Sequence, residues 1–103
     1  MLRYPIALSI LLAACAPVGR EPGVAVRHFA STEPFGRGGR WHIFLFEPAA
    51  PRSLETRMAL AQDGLERGCR WLNAPRDEIE ARTRAQGDRY AATVLAAPLI
   101  CET

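Results

Sequence analysis

The chain has no lysine. All 13 of its basic side chains are arginine, set against 11 Asp and Glu in 103 residues. The Gly-rich stretch Gly36-Arg37-Gly38-Gly39-Arg40 therefore lacks the Lys-Ser/Thr ending of a P-loop. Charge excess is missing too. A formal balance of +2 excludes a strongly basic nucleic-acid binder and an acidic disordered tail, so no nucleic-acid partner is expected. There is no apolar run of about 20 residues, the length that crosses a hydrocarbon core as a helix. Cys-x-x-Cys is also absent, which weighs against a thiolate metal site. Aromatic residues are only 8% of the chain, and most are needed to build one small core.

What is present begins with an address. Arg3 precedes Ile6 to Ala14 (IALSILLAA), nine uncharged residues bracketed by Pro5 and Pro17. The run shows no polar face, which disfavours a core helix, and it is too short to span. It reads as a secretory leader. Leu12-Ala13-Ala14-Cys15 closes it, and this tetrad resembles the lipobox of bacterial lipoprotein precursors. The resemblance covers only about the first sixteen residues. It implies diacylglyceryl transfer to the Cys15 thiol, cleavage between Ala14 and Cys15, and acylation of the new N-terminus with a palmitate-like chain. Two or three acyl chains anchor stably where one is marginal. Ala16 stands where an Asp retains enteric lipoproteins in the inner membrane, so the resemblance implies a periplasm-facing protein of the outer rather than the inner membrane. A single Arg is a thin positive region, and an ordinary secretory signal is the alternative.

With Cys15 assigned to lipid, Cys69 and Cys101 remain as an even pair in an oxidising compartment. They are expected to form a disulfide closing a loop of about 33 residues, worth roughly 3.5–4 kcal/mol in the chain-entropy account. A core this small benefits from such a staple. His28 and His42 lie far from either Cys in sequence, so no metal and no cofactor is expected.

The chain divides into a leader (1–14), a lipid anchor and flexible tether (15–26), and a small domain (27–103). Ala16 to Gly23 (APVGREPG) is too rich in Pro and Gly to bury a face. Val24 to Ala30 reads as a first strand, Ser31 to Arg40 as a loop, and Trp41 to Phe46 (WHIFLF) as a central strand covered on both faces. Ser53 can cap a helix over 53–67 with a stripe of Leu54, Met58, Ala61 and Leu65, ended by Gly68. Residues 70–73 suit a short strand. Within 77–86 (DEIEARTRAQ) the clean alternation favours a strand over 78–85 hairpinned with 89–97, and Asp77 with good helix formers makes a helix the alternative. The expected fold is α+β, a small antiparallel sheet of three to four strands with one helix packed on a face, stapled by the disulfide.

Chemistry is sparse in this pattern. Arg37 and Arg40 in the Gly-rich loop are the candidate ligand-binding residues, able to close on a phosphate or carboxylate, although a flexible charged loop accounts for them as well. His42 in a strand and His28, without an acidic neighbour in sequence, read as packing residues. Glu78 and Glu80 facing Arg82 and Arg84 read as a solvated face. Trp41 and Trp71 read as core rather than a binding platform. No catalytic constellation is visible, and the expectation is a non-enzymatic membrane-anchored module for an envelope protein or the cell wall. The runner-up is a small-ligand or anion-binding module at 36–40.

Overall fold

The computed structural model describes residues 23–102. Cys15, the leader and most of the tether lie outside the described residues. Four strands form one antiparallel sheet in the order β1-β2-β4-β3, with β1 Ala25–Phe35, β2 Gly39–Glu47, β3 Cys69–Trp71 and β4 Val94–Cys101. Two helices, α1 Leu54–Asp63 and α2 Arg76–Arg84, and a 3₁₀ turn at Asp88–Tyr90 complete it. The expected α+β architecture is present, with a second helix added to the first. β1 already takes up Ala25 and Val26, so the folded unit begins slightly before residue 27.

Period-two alternation makes β2 and β4 the centre. Phe44, Phe46, Leu95 and Leu99 point to one face, and Trp41, Ile43 and Ala96 to the other. All seven are buried, because each face carries a helix. On the first face α1 ends against Val26, where a Cβ on Gly64 would lie 2.8 Å from the Val26 Cβ. On the second, the Arg82 guanidinium of α2 sits 4.8 Å from the centre of the Trp41 ring. Trp41 and Trp71 lie on opposite faces and share no platform.

Several boundaries differ from the sequence expectation. Ser31 to Arg40 is not one loop. β1 continues to Phe35 and only Gly36-Arg37-Gly38 turns, with positive φ at both glycines. A bulge lies between Ala30 and Pro34, and there the Ser31 hydroxyl donates to the Trp41 carbonyl at 2.7 Å. The helix expected over 53–67 has its Ser53 cap, which accepts from Thr56 N–H at 3.1 Å, but it ends at Asp63. Gly64 caps it, its N–H donating to Leu60 O, and Gly68, with positive φ, turns the chain into β3. The buried stripe of α1 is Leu54, Arg57, Leu60 and Ala61, with Met58 and Leu65 only half-buried.

The segment 77–86 is helical over α2 and forms no hairpin with 89–97. Asp77 and Glu78 occupy its first turn and Arg82 and Arg84 its last, which suits the helix dipole. Ile79 gains a second buried partner one turn on, Thr83, whose hydroxyl donates to Ile79 O at 2.8 Å and accepts Ala96 N–H at 2.9 Å. β4 also runs through Pro98, where the expected strand stops at 97. Pro98 has no N–H to lose, and its carbonyl accepts Leu72 N–H at 3.0 Å.

The Cys69–Cys101 disulfide joins residues directly opposite in the β3–β4 ladder. It pins the last strand to a three-residue neighbour that has little ladder of its own.

Candidate functional site

α1 covers one end of its sheet face and leaves the other end open. At the open end a cleft of about 300 Å³ is lined by Ala30, Gly38, Arg40, His42, Leu99 and Cys101. The register explains the grouping. Ala30 pairs with His42, His42 with Ala97, and Arg40 with Leu99, so neighbouring strands deliver these side chains to one face.

Behind the cleft wall stands a chain of titratable groups. His28 on β1 lies diagonally from His42 on β2, and their Nδ1 atoms are 3.0 Å apart. One ring must donate and the other accept. Glu66, in the connection between α1 and β3, places Oε1 3.1 Å from His28 Nε2. That contact is an ion-pair distance without hydrogen-bond alignment, so Nε2 is buried with no hydrogen-bond partner. The His28 side chain is only 4% exposed, while Glu66 is largely in solvent. Phe44 packs against the His28 ring with centroids 4.9 Å apart. Burial, then His28, then Arg40 lower the pKa of His42, against a smaller opposing effect of Glu66. The groups run in series from Glu66 to His28 to His42. Among the described residues no three His, Cys, Asp or Glu side chains converge to hold a metal ion.

The structure separates the two candidate arginines. Arg40 lines the cleft, whereas Arg37 occupies the tip of the hairpin turn. Cys69 and Cys101 form the disulfide, and Cys101 is a cleft wall. His28, His42 and Glu66 come together although nothing in their spacing announces it. The available signal was the hairpin: once Phe35 faces Gly39 and a bulge intervenes, His28 and His42 fall on the same face. Reading 31–40 as a loop hides that register. Glu66 carries no such signal, because it reaches His28 only through the early end of α1.

A second cluster is structural in its contacts. Arg57 is buried at 6% exposure and ends in backbone carbonyls: Nε donates to Arg52 O at 3.0 Å and Ser53 O at 3.3 Å, and Nη1 to Ala91 O at 2.8 Å and Val94 O at 2.7 Å.

Comparison of the chain with protein-family models, with curated proteins and with solved structures gives no match.

Proposed function

We propose that the chain is a bacterial envelope lipoprotein, anchored through Cys15, whose folded part is a non-enzymatic module that docks an envelope protein along the outer edge of β1. The leader and the Leu12-Ala13-Ala14-Cys15 tetrad support the anchor. One contrast carries the docking surface: the outer side of β4 is covered along its length, and the outer side of β1 is not. Beside β4, Arg57 takes Val94 O, Thr83 takes Ala96 N–H, Leu72 takes Pro98 O, and β3 pairs the last three residues. Beside β1, no strand among the described residues pairs with the outer side, and Phe29 is 54% exposed in the regular stretch Ala25–Ala30. An unguarded edge with an apolar side chain suits β-strand addition, in which main-chain bonds give affinity and side-chain pockets give choice.

A photo-crosslinking amino acid at position 29, activated in the native envelope, tests this. One reproducible protein adduct is expected, with none from the same probe at Gln62 on exposed α1 surface. Equal or absent labelling at the two positions overturns the docking surface. Intact mass of the membrane-extracted protein tests the anchor, and an unmodified Cys15 overturns it.

The cleft favours a second reading, binding of a small anion. Its site is the Arg40 and His42 end of the sheet face and does not include Arg37.

A further inference from the structure

We infer that the Arg40–His42 cleft captures a small carboxylate with a short apolar body and takes up one proton at His42 as it does so. This rests on the anion-binding reading and adds the ligand class and the proton coupling. The lining is divided. Arg40 and His42 supply the polar wall, while Ala30 and Cys101, backed by the buried Leu99, supply an apolar one. About 300 Å³ is at the lower end of the size of small-molecule pockets. A guanidinium fork matches a carboxylate. The apolar wall gives the rest of such a molecule a place that a bare inorganic phosphate would not use.

The proton follows from the order of groups behind the wall. The Glu66 carboxylate, 3.1 Å from His28 Nε2 but not aligned as a hydrogen-bond acceptor, favours by its charge the tautomer that carries the proton there. With its proton at Nε2, His28 accepts at Nδ1, so His42 donates from its own Nδ1 across the 3.0 Å contact. That leaves the Nε2 of His42 bare. A proton arriving from solvent at Nε2 breaks no bond in the chain, because the Nδ1 proton stays where it is. Three charged or titratable groups act on His42: Arg40 on its own strand, His28 from β1 and Glu66 from the α1–β3 connection. β3 and β4 present the disulfide, which does not titrate. In the free protein, burial, then His28, then Arg40 lower the pKa of His42 against a smaller opposing effect of Glu66. An ionised carboxylate seated beside Arg40 supplies the missing countercharge, and the added proton gives it a second N–H donor. One negative charge enters with one proton, so the cleft's charge is unchanged by the pair.

Titration with butyrate, butanol and inorganic phosphate, followed by NMR of the imidazole and guanidinium groups, tests both levels. Butyrate is expected to give saturable shifts at His42 and Arg40, with butanol and phosphate inert, and Arg40→Gln should abolish them. Affinity should rise as pH falls below neutrality, by up to about tenfold per pH unit, the slope of one linked proton. Long-range nitrogen–proton spectra should show His28 protonated at Nε2 and His42 at Nδ1 in the free protein. Glu66→Gln, at an exposed position, should weaken the pH dependence. Absence of any saturable shift overturns the anion reading and the inference together. Butyrate binding that ignores pH, or the opposite tautomers, overturns the proton coupling alone. Phosphate binding more tightly than butyrate overturns the ligand class.

Discussion

Arg57 shows how one side chain can hold three segments. Its guanidinium satisfies carbonyls from the approach to α1 and from the two ends of the turn before β4, with no carboxylate among the described residues bonded to it. Burial lowers its pKa from the usual arginine range, yet it remains a cation at any physiological pH. Arg57→Met keeps the apolar stem and strands several buried acceptors. It should cost about 3 kcal/mol in urea unfolding. Arg57→Lys should recover only part of that loss, because an ammonium cannot span the same carbonyls as a planar fork. At His42 the prediction concerns pH. In the unfolded chain this imidazole protonates near its ordinary value of about 6.5. In the fold it stays neutral to lower pH. Between those points the unfolded state binds more protons, so stability rises with pH. Urea midpoints of the wild type should hold above about pH 7 and fall as pH drops through about 6.5. His42→Gln should remove that segment of the slope.

At the scale of elements, α2 marks where pattern and packing part. Counted as apolar or polar, DEIEARTR alternates, and only Ile79 anchors a helix. The fold recruits residues that such a count discards: Thr83 as a buried donor and acceptor, and Arg82 as a cation over Trp41 that also bonds Glu33 at 3.0 Å. Thr83→Val preserves shape and leaves Ala96 N–H without its acceptor. A loss of about 1–3 kcal/mol and faster amide exchange at Ala96 are expected. β2 and the Ser53 cap were legible because aromatic and β-branched density, and a hydroxyl before a helix, act locally. The buried stripe of α1 was half legible: Leu54 and Ala61 follow the period, while Arg57 and Leu60 depend on what the helix meets. Cys69 and Cys101 were legible from compartment logic and the remaining parity. Replacing both with Ala should lower stability by about 3–4 kcal/mol in the entropy account. The loss should show first as exchange in β3, which has a short ladder to hold it.

At the scale of the molecule, the cleft was illegible because it is a product of register. Arg40 was visible as a candidate, but its partner in sequence, Arg37, is not its neighbour on the cleft wall. His28 and His42 needed a hairpin turn, a bulge and a shared face before they could meet. The fold class required none of that detail, since strand periodicity, a capped helix and two spare cysteines already imply a small stapled α+β unit.

The sheet's open edge is also the first strand of the described residues. If a partner pairs along β1 and the lipid holds the other end of the chain, a pull between them runs through β1 alone. In that arrangement the load would enter at Ala25 and would not cross β2, β4, either helix or the disulfide. Bonds along a paired strand pulled lengthwise share the force together rather than yielding one at a time. The remainder of the domain would sit beside the line of tension, free to bind in its cleft while the edge bears the strain.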